Sequence, residues 1–418
     1  MAYKFFIKGG VPLSGEVEIS GYKNSAGAIL AATLLSKEPS VIDNLPLCSD
    51  VLDQIEILNQ MGAETEWLEK RKLKVNPKSV DPEKIPTELF EKMRVSILLA
   101  GPLLARFKKI KIPHPGGDKI GLRPISTHIQ ALKKFGTNVE EKEGFYFLES
   151  KDNSVVKRIM LEEFSVTATE ILMMMAALDE RETTIELAAA EPQVQDLGHF
   201  LIKMGADVQG LGTHTITIKG KKELKGADFS ISPDLLEAGA FFIAFAITGG
   251  EGKIKKVNPN HLAFFLEKMK EIGVNFETND EIIVKKSNNF RAAKIQVLPY
   301  PGFPTDLQPQ TSVLLTQATG KSLIHDPLYE NRFQHLHELR KMGADIEITD
   351  PHRALIFGKT ELFASKINAS DIRSGAALIL AGLTAKGQTV IENISQIERG
   401  HEKIEEKLKK LGAKIEKI

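Results

Sequence analysis

Leu58-Asn-Gln-Met-Gly-Ala63 and Leu132-Lys-Lys-Phe-Gly-Thr137 render one pattern: apolar, two polar residues, apolar, glycine, then a small residue or Thr. It returns, with slight variation, as Leu201-Ile-Lys-Met-Gly-Ala206, Met269-Lys-Glu-Ile-Gly-Val274, Leu339-Arg-Lys-Met-Gly-Ala344 and Leu408-Lys-Lys-Leu-Gly-Ala413. The six glycines, at 62, 136, 205, 273, 343 and 412, lie 74, 69, 68, 70 and 69 residues apart, which marks an internal repeat. Physically the pattern is a helix end. Apolar residues three apart turn a stripe toward a core, and the glycine takes the left-handed conformation that lets the last carbonyls find partners. Alternating runs such as Ala63–Trp67 and Ala344–Ile348 follow, so each unit closes as helix, glycine, strand.

A second pattern lies between these endings. Apolar, sparsely charged stretches at Ser25–Leu35, Arg94–Ala105, Thr169–Ala177, Ala238–Ile247, Gln310–Gln317 and Ser374–Leu383 each precede a short strand-like run. Such helices should be buried nearly all round, with the amphipathic repeat-end helices outside them. Six α/β units of this kind predict two bodies of three units each. A solenoid is the competing arrangement, and the divergent loops argue against it. The change from third to fourth unit falls at Gly226–Asp234, while a first strand near Phe5–Ile7 precedes unit one.

A chain of 418 residues exceeds one ordinary core, and 42% apolar with 26% charged residues describes a globular protein. The 55 basic and 55 acidic side chains cancel, which speaks against a non-specific nucleic-acid binder but leaves room for a local basic pocket. Cys48 is the single cysteine, so an intrachain disulfide and a thiolate metal cluster are excluded. No signal peptide is expected from MAYKFFIKGG, and the most apolar window, Ala238–Ile247, is about half the ~20 residues that cross a bilayer. A cytoplasmic protein with no membrane partner is the expectation.

Four features carry chemistry. In Gly21-Tyr-Lys-Asn-Ser25, Lys23 precedes an Ala-rich helix, where open amide hydrogens and a cation make a small anion site; a solvated surface charge is the plainer alternative. Pro113–Pro124 packs prolines and two adjacent glycines around Asp118, Lys119 and Arg123, a mixture suited to proton transfer beside a phosphate or to a salt-bridged turn. Pro301–Gln310 places Asp306 near the first turn of a helix, as a candidate base or a capping carboxylate. Arg94, Arg332, Arg373 and Arg399 stand singly in turns or helix starts, and guanidinium groups suit planar carboxylate and phosphate recognition. Together they fit a small, highly anionic substrate. His335 and His337 form no metal-binding spacing with an acid, and neither a GxxxxGK[ST] phosphate loop nor a GxSxG elbow occurs.

These segments carry a resemblance. GYKNSA at Gly21–Ala26, MRVSILLAGPLLAR at Met93–Arg106, PGG-IG-RP within Pro115–Pro124, ATE at Ala168–Glu170, FPTDLQ-Q at Phe303–Gln310, ENRF at Glu330–Phe333, DIRS at Asp371–Ser374 and IERG-E-I-EKL at Ile397–Leu408 occur in order. The chain thereby resembles the UDP-N-acetylglucosamine 1-carboxyvinyltransferase family of enolpyruvyl transferases from about Ile7 to Ile418. The resemblance implies an α/β fold described as a two-domain inside-out α/β barrel, three α/β units with threefold pseudosymmetry in each domain, and an active site in the cleft between them. The implied domains are residues 1–21 with 232–418, and 22–231, the latter carrying a closing loop, Lys111–Arg123.

The implied reaction is addition then elimination: the sugar 3-hydroxyl attacks C2 of phosphoenolpyruvate as C3 gains a proton, and loss of a C3 proton and phosphate leaves an enolpyruvyl ether. By the same resemblance Lys23, Asn24, Asp118 and Asp306 are the catalytic set, with Asp306 the base. Lys23, Arg94, Arg123, Arg332 and Arg399 would hold phosphoenolpyruvate. Asn24, Arg123, Pro124, Ser165, Val166, Thr167, Asp306, Leu328 and Tyr329 would hold UDP-N-acetylglucosamine, with Arg373 in support. No cofactor, metal or nucleic acid is implied. The chain departs from the family at Asp118, where Cys is common and is the residue fosfomycin alkylates, although an active Asp subclass exists. Further departures are Leu235 in Pro233–Ala240, Thr167 and Ile171 in Ser165–Ile171, and the stretch KDNSVVKRIMLEEF at Lys151–Phe164. The alternatives are a 3-phosphoshikimate 1-carboxyvinyltransferase, which needs an extra phosphate clamp, and a non-catalytic paralog.

Overall fold

All six repeat glycines are left-handed, with φ between 96° and 113°, and each stands at or just past the end of an amphipathic helix. Those helices are Ser49–Gln60, Ser126–Phe135, Pro192–Met204, Ala263–Ile272, Gln334–Lys341 and Ile404–Lys410. A strand follows each glycine, at Glu64–Glu69, Thr137–Lys142, Asp207–Gln209, Phe276–Thr278, Asp345–Asp350 and Lys414–Lys417. The computed structural model describes residues 3–151 and 157–418. Residues 152–156, within the divergent stretch Lys151–Phe164, lie outside the described residues.

The chain divides into two compact units, one of Met1–Ser20, Lys119–Arg123 and Pro233–Ile418, the other of Gly21–Asp118 and Pro124–Ser232. In the first, the helices Leu235–Ile247, Gln308–Thr316 and Ile372–Thr384 pack on one another. Every residue of Leu235–Ile247 is buried, as an apolar helix without a polar face requires. In the second, Lys23–Ala32, Ala100–Phe107 and Val166–Ala177 take the same place, Ala100–Phe107 touching both others. The apolar stretch beginning at Arg94 is not one α-helix: Val95–Leu99 is 3₁₀, and α-helix starts at Ala100. Pro102 has no N–H to give to the carbonyl four residues back, which falls at this junction.

Six separate sheets surround these helices. Five run as a parallel pair followed by two antiparallel steps. In the first unit these are Ser14–Glu18, Glu251–Lys255, Ile282–Val284, Phe276–Thr278; Lys294–Gln296, Gly320–His325, Arg353–Gly358, Asp345–Asp350; and Lys366–Asn368, Gln388–Glu392, Phe5–Lys8, Lys414–Lys417. The second unit has Asp228–Ser230, Ser40–Asp43, Lys72–Asn76, Glu64–Glu69 and Lys157–Met160, Glu182–Glu186, Thr215–Lys219, Asp207–Gln209. Its third sheet, Lys109–Pro113, Phe145–Ser150, Thr137–Lys142, lacks the parallel strand.

This corrects the barrel that the resemblance implies. Among the described residues no sheet closes: each runs from one edge strand to another and has three or four strands. A small closed barrel needs roughly eight strands with matched tilt and stagger. The fold is α/β with open mixed sheets over buried helices.

Candidate active site

In the first unit, the short 3₁₀ turn Thr305–Leu307 presents Asp306 at the entry to Gln308–Thr316. Both carboxylate oxygens meet guanidinium groups. Arg332 Nη2 donates to Oδ1 at 2.6 Å and Arg373 Nε to Oδ2 at 3.0 Å. The arginine side chains are 1% and 4% exposed but that of Asp306 is 27% exposed, so the carboxylate remains reachable from outside. Arg373 is fixed by its own helix, Ile372–Thr384, which starts where Asp371 accepts the amides of Arg373 and Ser374 at 3.0 Å each.

Burial alone would lower the proton affinity of Arg332, but the nearby carboxylates of Asp306, Asp371 and Asp326 outweigh it and the net direction is up. The opposite balance holds for Asp326. Burial pushes its carboxyl above the ordinary value, and the Thr305 hydroxyl and Arg332 only partly offset that. Asp371 is held below the ordinary range, because Arg332 and the Ser374 contacts overcome the effect of burial.

Tyr329 joins this cluster through its ring, whose centroid lies 5.6 Å from the Arg123 guanidinium and 5.9 Å from that of Arg332. Arg123 is in place because Lys119–Arg123 is tied to the segment around Arg332. Glu330 accepts from the Leu122 amide at 2.7 Å, the Asn331 amide donates to Ile120 O at 3.1 Å, and Asn331 Nδ2 donates to Lys119 O at 2.8 Å. A Cβ at Gly121 would come within 2.5 Å of the Glu330 carboxylate. Leu328 is exposed on the same segment, and Arg399, after Ser395–Glu398, donates to Gln396 at 3.0 Å.

In the second unit the sequence-expected residues have separate partners. Lys23 opens the helix Lys23–Ala32 and pairs with buried Asp50 at 2.8 Å, so it is a fixed cation and not a solvated one. Asn24 Nδ2 lies 3.4 Å from the Tyr22 hydroxyl. Arg94 donates to the Pro124 carbonyl at 3.0 Å. It also explains Gly117, which has φ 120° and a backbone so close that a Cβ would meet Arg94 Cβ at 2.8 Å. Asp118 follows directly, half-buried.

Ser165 caps Val166–Ala177 by accepting from the Ala168 amide at 3.3 Å. Thr167 hydrogen-bonds His128 at 2.7 Å, and Thr127 donates to Glu163 at 2.6 Å, linking this helix start to the one that follows Pro124. Of the expected closing loop, Lys111–Pro113 belongs to the strand Lys109–Pro113 and the irregular part begins at His114.

Reading the sequence did not find Asp50, Asp326, His128 or Asn331. A carboxylate two residues into a helix, as Asp50 is, or an Asp at the end of a strand followed by Pro, as Asp326 is, was the available signal. Among the described residues no three metal-ligating side chains gather, and no helix is long and apolar enough to cross a membrane.

The fold is the one found in solved enolpyruvyl transferases. The enolpyruvyl transferase NikO from Streptomyces tendae superposes with a TM-score of 0.90 over 100% of this chain and 99% of that one, at 24% identity. An EPSP synthase from Acinetobacter baumannii gives 0.74 over the full length of both chains at 18% identity. At such identities the likeness speaks for fold alone. In sequence, residues 7–408 match the family model of EPSP synthase (3-phosphoshikimate 1-carboxyvinyltransferase). A UDP-N-acetylglucosamine 1-carboxyvinyltransferase of Koribacter versatilis is 42% identical over 421 residues, covering 99% of this chain and 96% of that protein. Another, from Caldanaerobacter subterraneus, is 44% identical over 416 residues, 99% of each. The chain belongs to the carboxyvinyltransferase family, a family of enzymes.

Proposed function

We propose that this enzyme transfers the enolpyruvyl group of phosphoenolpyruvate to the 3-hydroxyl of UDP-N-acetylglucosamine, releasing inorganic phosphate, as the first committed step of peptidoglycan synthesis in a bacterial cytoplasm. The observation that carries the reading is identity of 42–44% along 99% of the chain to enzymes named for that acceptor. The geometry agrees with the chemistry. The Asp306 carboxylate, held by Arg332 and Arg373, takes the proton of the attacking hydroxyl as its oxygen bonds C2. Because both carboxylate oxygens are already engaged by cations, that transfer has to accompany protonation of C3 rather than precede it. Lys23, Arg94, Arg123, Arg332 and Arg399 balance the phosphate and carboxylate of phosphoenolpyruvate and the charge of the tetrahedral intermediate. Loss of a C3 proton and of phosphate completes the exchange.

Asn24, Pro124, Ser165, Val166, Thr167, Leu328 and Tyr329 are assigned to the sugar nucleotide. The two domains of this reading are 1–21 with 232–418 and 22–231, with Lys111–Arg123 as the segment that closes on substrate. Asp118 makes the enzyme a member of the Asp-for-Cys subclass, in which a carboxyl does the work of the thiol. Because the matching family model is named for the shikimate enzyme, 3-phosphoshikimate is the acceptor to test against. Phosphate release from phosphoenolpyruvate should require UDP-N-acetylglucosamine and should stay at background with 3-phosphoshikimate. The reverse pattern would replace the acceptor, and release with neither would leave a non-catalytic paralog.

A further inference from the structure

We infer that Asp326 is a positioning residue that sets the catalytic and the acceptor-binding arms of the first unit's site together. The inference rests on the reading above, in which Asp306 acts as base and Leu328 and Tyr329 hold the sugar nucleotide. Asp326 follows the strand Gly320–His325 and is 0% exposed. One carboxylate oxygen, Oδ2, accepts the Thr305 hydroxyl at 2.6 Å, and the other, Oδ1, accepts the Leu328 amide at 3.1 Å. Thr305 is the residue before Asp306, and its carbonyl also receives Arg332 Nη2 at 3.4 Å.

The backbone of Asp326 is pinned as well. Its amide donates to His352 O at 2.8 Å, and His352 Nδ1 lies 2.9 Å from its carbonyl. The side chain therefore stands on a fixed base and ties the Thr305 turn to the Leu328 turn, beside the tie that Arg332 makes to Thr305 and Asp306. A buried carboxylate that used its two oxygens merely to satisfy itself could do so within one turn. Here each oxygen goes to a different arm. Misplacing a catalytic group by ~1 Å can cost a factor of about a hundred in rate, so this tie bears on turnover as well as on folding.

The two arms can be cut separately. Thr305→Val removes the hydroxyl and leaves the Leu328 bond. It should lower kcat by at least ~10-fold while the KM for UDP-N-acetylglucosamine stays within about twofold. Asp326→Ala removes both bonds. It should lower kcat similarly and raise that KM several-fold, with the KM for phosphoenolpyruvate within about twofold. Thr305→Ser and Asp326→Asn, which keep a hydrogen-bonding group in place, should recover most of the loss. Hydrogen exchange at the Leu328 amide should quicken in Asp326→Ala and not in Thr305→Val, whether or not the acceptor is right.

Wild-type kcat and KM values in folded Asp326→Ala, equal loss in the Ser and Val variants, or unchanged exchange at Leu328 would each overturn the inference. If the unaltered enzyme releases no phosphate with UDP-N-acetylglucosamine, the acceptor reading fails instead. The same kinetic split is then read with the acceptor that supports turnover.

Discussion

On the function proposed above, Asp118 is the side chain that decides what the site can react with. It follows Gly116 and Gly117, whose backbones lie so close to Glu91 O and Arg94 that no side chain fits at either position. The residue after them is thus placed by backbone packing, whatever its own chemistry. A cysteine at this position, which the family resemblance makes the common residue, would offer a soft and strongly nucleophilic thiolate to the fosfomycin epoxide. A carboxylate is a far poorer nucleophile, though it can still carry a proton. The natural protein, incubated with fosfomycin and UDP-N-acetylglucosamine, should keep its intact mass and its phosphate-releasing activity. Asp118→Cys should gain one drug equivalent and lose activity as it does so. An adduct on the natural protein would refute the assignment, and an inert cysteine variant would show that Asp118 is not where the drug binds.

At the scale of the element, helix starts hold the candidate site residues Lys23, Asp306 and Arg373. Asp371 caps Ile372–Thr384 through two amides while its charge faces Arg332. Asp371→Ala should cost about 1–2 kcal/mol in urea unfolding and lower turnover by loosening Arg373. Asp371→Asn keeps the cap and should recover most of the stability; unchanged stability and turnover in Asp371→Ala would show that the cap supports neither. How far the sequence revealed such elements follows from the range of the forces involved. The six glycine helix ends and the apolar inner helices were legible because each depends on a few neighbouring residues. The 3₁₀ stretch before Ala100 was missed, although Pro102 was the local sign of it.

The closed sheets that the resemblance implies could not be checked along the sequence, because strand pairing joins residues as distant as Phe5 and Lys417, and neither propensity nor periodicity reports which edges stay open. At the site the same limit applies. Asp306, Arg332 and Arg373 could each be picked out singly, but their meeting spans 26 and 67 residues of sequence. Asp326 gave less notice still, since an acid after a strand is usually solvated and this one is wholly buried.

The whole molecule has a formal charge of zero, so its dependence on pH arises from particular buried groups more than from net repulsion. Burial pushes the Glu170 carboxyl well above the ordinary range, and Glu191 adds to this. In the other unit Asp234, the cap of Leu235–Ile247, is pushed from 3.8 up to about 6. Burial is the largest cause; Arg373 opposes it and Glu237 adds to it. The sign follows from proton binding. Between the two values the folded chain holds a proton at Asp234 that the unfolded chain has lost, so rising pH across that window favours unfolding. Above about pH 6 this contribution levels off, because both states are then ionised.

Asn at this position stays neutral and can still accept the Leu236 and Glu237 amides, which Asp234 receives at 2.8 and 3.1 Å. Every other buried group, Glu170 included, is common to the two proteins and cancels. Asp234→Asn should therefore gain on the natural protein by about 1 kcal/mol between pH 5 and pH 7.5, read as the change in their difference in unfolding free energy. Urea titrations of both proteins at the two pH values measure it. A difference that does not move with pH would mean that Asp234 is already ionised in the folded chain at pH 5, with Arg373 outweighing the cost of burial.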